Sequence, residues 1–268
     1  MSGNLPLECD ESFAYNVQIE CGFSNSNVRA CKLDLKMRRP AIVDSKYYEL
    51  YTEFVMGLFL YFLRHGQTAL SRDDTFCGSG LDPELTPEGL QMAQVFAAAY
   101  RKTEWRAIYS SVLRRAITTA QPLCEAVGTT LNKRAELNEI GYGQWEGMTK
   151  GKVEQQFHDD YITWLADPAW HAPTNGELAV AIARRGMQLI EEIKEQYDTG
   201  NVLIVSHKAT IRIMLCALLG IDVGRFRYRL VCPVGSVSIV EFDTEGPLLR
   251  ALADRSHFSE ELKTLPGT

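Results

Sequence analysis

The chain has 268 residues, which is long enough for one sizeable domain or two small ones, and its composition of 46% hydrophobic and 23% charged residues is ordinary for a globular protein. The formal net charge of −6 argues against general nucleic-acid binding, which needs an excess of Lys and Arg. The longest apolar run, residues 54–63, is too short to cross a bilayer, and the first twenty residues do not resemble a secretory signal. We therefore expect a cytoplasmic protein without nucleic-acid or membrane partners.

The first 55 residues differ from the remainder of the chain. They show no sustained period of 2 or 3.6, so we expect a weakly structured N-terminal extension that is dispensable for chemistry. The regular pattern begins at residue 56. We assign one domain to residues 56–250 and a C-terminal tail to residues 251–268.

Four apolar runs predict buried strands, in chain order Leu58–Leu63, Arg106–Ser110, Asn201–Ser206 and Ser236–Phe242. A helix is expected to begin after the capping Thr86, with its buried face formed by Leu90, Ala93, Ala97 and Tyr100. Two more helices, over residues 112–127 and 209–219, are each followed by a glycine that can end them. This alternation predicts an α/β fold, a three-layer wound sheet with helices on both faces.

Residues 147–200 contain no evident strand. Apolar residues between Val153 and Leu165 predict one amphipathic helix, and a second is expected from Glu177 to about Tyr197. We interpret this stretch as a small helical cap across one edge of the sheet.

Polar side chains follow three of the predicted strands. The first strand ends at Arg64, His65 and Gly66. The second ends at Ser110 and Ser111 and is followed by Arg114 and Arg115, and the third ends at Ser206 and His207. In open α/β sheets, ligands bind outside the carboxyl ends of the strands. Guanidinium groups bind phosphate oxygens, and neighbouring positive charge favours the neutral, nucleophilic form of a histidine. Adjacent arginines cannot both face one site from a helix start, and we choose Arg115.

The arrangement resembles the histidine phosphatase superfamily, which includes cofactor-dependent phosphoglycerate mutases and many phosphatases. The resemblance covers roughly residues 57–245, and its matching stretches are Leu63–Thr68, Leu81–Gly89, Ile108–Ala120, Leu137–Gly147, Gly176–Glu177 and Val205–Arg212. A single Arg-His-Gly would be weak evidence, whereas several stretches in the family's order are strong.

The resemblance implies a role for each matching residue. His65 would be the phosphorylated nucleophile, Arg64, Arg115 and His207 the phosphate ligands, and Glu139 the general acid. Glu146 competes for the acid role, but its place between Trp145 and Gly147 favours a structural one. Six further residues are expected to bind substrate at the entrance and are called the entrance residues: Gln67, Thr68, Ser71, Cys77, Gly78 and Lys208.

The sequence departs from the family pattern at Gln67, Ser71, Val112 and Lys208, but none of these changes removes a proposed catalytic residue. No metal and no cofactor are expected, because the chain lacks clustered carboxylates near the site and has no Cys-x-x-Cys pair.

The function expected is hydrolysis of a small phosphorylated metabolite through a phosphohistidine, with phosphoserine or a sugar phosphate as leading substrates. A cofactor-dependent phosphoglycerate mutase is the alternative. The mutases of this family carry a longer insertion with extra basic residues, whereas the predicted cap contains no basic cluster apart from Arg184–Arg185. A non-catalytic phosphate-binding regulatory domain is the alternative from another class. The sequence leaves a homodimer possible.

Overall fold

The computed structural model describes residues 57–267, and these residues form a mixed six-stranded sheet with helices on both faces. The strands are β1 (Leu58–Arg64), β2 (Trp105–Ser110), β3 (Leu131–Lys133), β4 (Gly200–Ser206), β5 (Val237–Asp243) and β6 (Gly246–Asp254). The helices are α1 (Ala69–Arg72), α2 (Pro87–Tyr100), α3 (Arg114–Val127), α4 (Lys150–Gln156), α5 (His158–Ala166), α6 (Ala179–Gln196), α7 (Lys208–Leu218), α8 (Phe226–Arg229) and α9 (Glu260–Lys263).

The sheet has the strand order β3-β2-β4-β1-β5-β6. Strands β3, β2, β4 and β1 run parallel, whereas β5 pairs antiparallel with β1 and β6 antiparallel with β5. Parallel neighbours place their carboxyl ends at the same edge. The ends of β2, β4 and β1 therefore meet side by side.

Alternate residues of the central strands enter two separate cores. Leu60 and Phe62 of β1 pack with residues of α6 and α7 on one face, whereas Leu63 packs with residues of α2 and α3 on the other. Because side chains of a strand point to opposite faces in turn, a strand covered on both sides is a continuous apolar run. The α/β fold predicted from such runs is confirmed.

The four predicted strands are present, and β3 and β6 are additional. The glycines proposed to end two helices do so, with Gly128 at φ 68° and Gly220 at φ 66°, a region that glycine adopts without strain. One predicted buried face was wrong in detail, since Leu90 is 44% exposed. The inner face of α2 is formed by Gly89, Met92, Ala93, Phe96 and Ala97.

The predicted cap is smaller than expected. Its first helix is two helices, α4 and α5, which meet at Phe157. They pack around an aromatic cluster that includes Phe76, Trp145 and Trp164. The predicted second cap helix is α6, and it packs against the sheet through Ile182, Leu189, Ile190 and Ile193. The amphipathic face of α6 thus belongs to the main core, and α6 is part of the helical layer.

Residues assigned to a C-terminal tail contribute to the folded domain. Strand β6 continues past residue 250 to Asp254, and Phe258 and Leu262 pack against Met92 and Val234. The domain boundary at residue 250 thus falls inside a strand. The proposed N-terminal extension lies outside the described residues. Within residues 57–267, no helix combines the length and apolar character needed to cross a membrane.

Candidate active site

Two histidines lie side by side at the carboxyl edge of the sheet. His65 directly follows β1 and His207 directly follows β4, and their ring centroids are 5.0 Å apart. The His65 amide donates to the carbonyl of Ser206 over 3.0 Å, which continues the strand pairing into the loops. Both histidines are buried, and His65 lines a cavity of about 810 Å³ that is open to solvent, whereas His207 lies behind the lining residues. The fold therefore brings together two residues that are 142 positions apart in the sequence.

The His65 ring is held in one tautomer. Nδ1 lies 2.7 Å from the carbonyl oxygen of Gly66, which can only accept, so Nδ1 carries the proton and Nε2 keeps a free lone pair. Burial, followed by the charges of Arg115 and Arg64, lowers the pKa of His65 well below its usual value. A Cβ on Gly66 would lie 2.4 Å from the carbonyl oxygen of Gly89, so this approach requires glycine. His65 is thereby neutral, with a lone pair on Nε2 that is available for bonding.

The His207 ring is held from two sides. Arg115 Nε donates to His207 Nδ1 over 3.2 Å, so the ring proton lies on Nε2, which is 2.7 Å from Ser111 Oγ. The Ser111 hydroxyl also accepts from the Leu113 amide at the start of α3. Burial and then the Arg115 charge lower the pKa of His207 well below its usual value. The sequence placed Ser111 at this edge of the sheet, after β2, but gave it no role.

Arg115 is the arginine of the adjacent pair that enters the cavity. It is 1% exposed, and its guanidinium also donates to the carbonyls of Leu81 and Gly78. Arg114 points outward and pairs with Glu84. These contacts place Arg115 beside His207.

Arg64 is fixed by backbone carbonyls. Its Nη1 donates to the oxygens of Cys232 and Gly267 over 2.7 Å and 2.9 Å, and its buried Nε has no protein partner. A buried N–H without a partner is costly, so a ligand oxygen is the natural acceptor. The C-terminal segment thus helps to orient the arginine next to His65.

The carboxyl group of Glu139 lies at the N-terminus of α7, where it accepts hydrogen bonds from backbone amides. Its Oε1 accepts from the Thr210 amide and hydroxyl and from the Ile140 amide, whereas its Oε2 accepts from the Ala209 amide. The carboxyl group is buried and lines the cavity. Oε2 has the greater remaining capacity and is the oxygen better placed to carry a proton.

Glu146 has a different environment. Its Oε1 accepts from the amides of Gly80 and Tyr142, and the residue does not line the cavity. It ties together two loops, as its position between Trp145 and Gly147 suggested.

Four of the six entrance residues line the cavity: Thr68, Ser71, Cys77 and Lys208. Burial raises the pKa of Cys77 to about 11, which makes it an inert thiol at neutral pH. Burial and the charges of Arg64 and Arg212 lower the pKa of Lys208 to about 8. The hydroxyls of Thr68 and Ser71 are engaged in the capping box of α1, so their first role is to shape this loop.

Gln67 and Gly78 are not among the side chains that line the cavity, and their role in substrate binding stays a prediction. The Gln67 amide nitrogen donates to the Pro266 carbonyl over 2.7 Å, and its oxygen accepts from Thr86. Gly78 supplies the carbonyl that accepts from Arg115. Both residues contact the segments that surround the site, since their polar groups bind Pro266, Thr86 and Arg115.

Several cavity residues were missed by sequence reasoning. Arg212 projects from α7 one turn beyond His207, and Arg227 lies on the short helix α8. The other unpredicted lining residues include Asp74, Phe76, Tyr142, Lys150, Trp164 and Phe226. Arg184 and Arg185, the basic cluster considered for the mutase alternative, are not among the lining residues, and Arg185 pairs with Glu177. Among the unpredicted lining residues, Arg212 alone had a signal in the sequence, because it lies on the helix that directly follows His207. Among residues 57–267, no three His, Cys, Asp or Glu side chains cluster so as to hold a metal ion.

A wound α/β sheet with two neutral histidines between buried arginines at its carboxyl edge defines a phosphoryl-transfer site. Comparison with known proteins gives the family. The description "Histidine phosphatase superfamily (branch 1)" matches residues 60–255, and the chain belongs to this superfamily. The resemblance inferred from the sequence is confirmed.

Similar proteins carry phosphatase names. Phosphoserine phosphatase 1 of Hydrogenobacter thermophilus is 28% identical over 201 residues, which cover 75% of this chain and 94% of that protein. Glucosyl-3-phosphoglycerate phosphatase of Mycolicibacterium vanbaalenii is 34% identical over 174 residues, covering 62% of this chain and 76% of that protein. The protein described here is accordingly a phosphoric monoester hydrolase of the histidine phosphatase family.

The fold of this chain is also similar to solved structures of phosphatases. The mycobacterial glucosyl-3-phosphoglycerate phosphatase in complex with inorganic phosphate has a TM-score of 0.67 at 28% identity, covering 75% of this chain and 99% of that one. A putative α-ribazole-5'-P phosphatase from Escherichia coli K-12 has a TM-score of 0.69 at 25% identity, covering 76% of this chain and 100% of that one.

Proposed function

We propose that the protein hydrolyses phosphomonoesters of small metabolites through a phosphohistidine at His65. The observation that carries the proposal is the tautomer of His65, whose Nδ1 donates to the Gly66 carbonyl and whose Nε2 is left to attack. Neutral imidazole is the nucleophilic form, and the lowered pKa of His65 keeps the ring neutral at physiological pH.

In the first step, the lone pair of His65 Nε2 attacks phosphorus as the bond from phosphorus to the ester oxygen breaks. Arg64 and Arg115 hold the equatorial oxygens. His207 exchanges its contact with Ser111 Oγ for a hydrogen bond from Nε2–H to one of these oxygens, and it keeps its proton. Glu139 enters this step protonated and gives its proton to the leaving oxygen, which departs as an alcohol. The products of the step are the alcohol, phosphorylated His65 and the Glu139 carboxylate.

In the second step, the Glu139 carboxylate removes a proton from water while the water oxygen attacks the same phosphorus. The bond between His65 Nε2 and phosphorus breaks, and the electron pair returns to the ring. Inorganic phosphate leaves, and Glu139 is again protonated. The roles of acid and base on one carboxyl group follow from microscopic reversibility.

Phosphorylated amino acids and sugar phosphates are the substrates to test first, because similar proteins are named for phosphoserine and for glucosyl-3-phosphoglycerate. We place the enzyme in the cytoplasm, in keeping with the free thiols of Cys77, Cys124, Cys216 and Cys232, which suit a reducing compartment.

Phosphate release from p-nitrophenyl phosphate, L-phosphoserine and sugar phosphates tests the proposal. The wild-type protein should release phosphate, and His65→Ala should lose about four orders of magnitude or more in kcat, because no other group supplies the nucleophile. Near wild-type turnover by His65→Ala would contradict the mechanism. Incubation of 3-phosphoglycerate with a bisphosphate primer should yield free phosphate and no 2-phosphoglycerate.

A further inference from the structure

Two arginines of the cavity retain N–H groups that bind nothing in the protein. Arg212 is 8% exposed and donates through Nη2 to the Arg227 carbonyl, while its buried Nε has no partner. The Arg227 guanidinium lies 4.0 Å from the ring centroid of Trp164, and its buried Nη1 has no partner. Buried guanidinium groups normally satisfy their N–H donors. The two unpartnered donors, called the Arg212–Arg227 pair, indicate a missing acceptor.

The charges that line the cavity are unbalanced. Two acidic side chains, Asp74 and Glu139, and six cationic side chains line the cavity, the latter being Arg64, Arg115, Lys150, Lys208, Arg212 and Arg227. With both histidines neutral and Glu139 protonated, as the first step of the proposed hydrolysis requires, the lining side chains carry an excess of five positive charges, and a phosphoryl dianion would neutralise two of them. The depressed pKa of Lys208, due first to burial and then to Arg64 and Arg212, is consistent with this positive potential. A second anionic group on the ligand would reduce the excess that remains.

We propose that the Arg212–Arg227 pair binds a second acidic group of the substrate, a carboxylate or a second phosphate. The inference rests on the proposed hydrolysis and narrows its substrates to phosphomonoesters that carry another anion. Guanidinium groups bind both anions through paired, charge-assisted hydrogen bonds.

The surroundings strengthen such an interaction. Trp164 and Phe226 form apolar walls beside the pair, and Phe226 lies under the Arg212 guanidinium at 5.5 Å from ring centroid to Cζ. Apolar walls reduce the local dielectric, so an ion pair there is stronger than in water. A neutral sugar hydroxyl would accept one hydrogen bond but would leave the excess charge in place.

The experiment compares substrates that differ in the second group alone. The first comparison is 3-phosphoglycerate against glycerol 3-phosphate, and the second is glucose 1,6-bisphosphate against glucose 1-phosphate. We expect wild-type kcat/KM to favour the diacidic member of at least one comparison by about tenfold or more, since a hydrogen bond to a charged group contributes that much. A preference in the first comparison would show that the Arg212–Arg227 pair binds a carboxylate, and a preference in the second would show that it binds a phosphate.

Arg227→Met retains the apolar stem over Trp164 and removes the charge, and it should reduce the preference to less than about threefold. Arg227→Lys keeps the charge and should retain part of the preference for the diacidic substrate. Arg229→Met is the matched control, because Arg229 is an exposed arginine on the same helix outside the cavity, and it should keep the wild-type preference.

Wild-type ratios near one in both comparisons would overturn the inference, as would an unchanged preference in folded Arg227→Met. If Arg227→Met does not fold, the wild-type ratios and Arg227→Lys still decide. Absence of turnover on every ester, p-nitrophenyl phosphate included, would overturn the proposed hydrolysis. Calorimetric binding of 3-phosphoglycerate and glycerol 3-phosphate would then test the pair separately, and equal affinities would reject it.

Discussion

The catalytic histidines and the Arg212–Arg227 pair line one cavity but differ in how their polar atoms are satisfied. Three of the four ring nitrogens of His65 and His207 have protein partners, and the fourth, His65 Nε2, is the atom left to react. The Arg212–Arg227 pair instead holds N–H donors that have no acceptor in the protein. Groups that perform chemistry are oriented in advance, whereas groups that select a ligand keep donors for it.

A large effect on the rate is expected at Glu139, whose carboxyl group is oriented for proton transfer by four hydrogen bonds. Glu139→Gln should lower kcat by about two to four orders of magnitude on an alkyl phosphate. The loss should be smaller on p-nitrophenyl phosphate, because p-nitrophenol leaves with little protonation. Phosphate release on both substrates measures the difference.

Glu146→Gln is the control for Glu139. Glu146 binds two loop amides and does not line the cavity, so its substitution should affect both substrates alike. An equal loss on both substrates in Glu139→Gln would argue against a proton-transfer role for Glu139.

Substitution of Ser111 should lower the rate by a smaller factor. Ser111→Ala removes the hydroxyl that contacts His207 Nε2, and we expect a loss of about fivefold in kcat with little change in KM, because a hydrogen bond that orients the ring and contributes about 1 kcal/mol is lost. Ser111→Thr should restore most of the rate. Ser110→Ala is the matched control, since the Ser110 hydroxyl donates to the Ser111 carbonyl and contacts neither histidine. A kcat loss in Ser110→Ala equal to that in Ser111→Ala would assign the effect to packing.

The last effect concerns the pH dependence of stability and not the rate of the reaction. The pKa values of His65 and His207 are lowered by burial, so below about pH 6.5 the unfolded chain binds protons that the folded protein does not. The free energy of unfolding should therefore fall as pH falls from 6.5, by up to about 1.4 kcal/mol per pH unit for each histidine. Urea unfolding at pH 7.5, 6.5 and 5.5 measures it. His65→Gln should show a shallower fall, and a wild-type stability independent of pH would contradict the assignment.

The sequence predicted the parts of the molecule that depend on local pattern. The apolar runs of β1 and β4 and the polar residues after them place His65 and His207 at one edge without further information. By contrast, β3 has only three residues, and β6 is an edge strand with several exposed residues, so neither has a clear apolar pattern.

Other features depend on tertiary contacts that no pattern encodes. The amphipathic face of α6 was correctly recognised, but a periodic pattern cannot tell whether that face covers a cap or a sheet. Arg227 lies in a four-residue helix whose direction is set by packing, so its entry into the cavity could not be predicted. The contacts of Gln67 with Pro266 join residues 199 positions apart, which likewise leaves no local signal.

The central claim is a covalent intermediate at His65, and rapid quenching of the enzyme during turnover of a phosphomonoester tests it most directly. Mass spectrometry of the quenched protein should find one phosphate on the peptide that contains His65, stable in base and lost in acid. With p-nitrophenyl phosphate, whose leaving group needs little protonation, Glu139→Gln should accumulate this species, because the group that activates water in the second step is missing. Turnover without a phosphopeptide at His65, or with phosphate on another residue, would contradict the account.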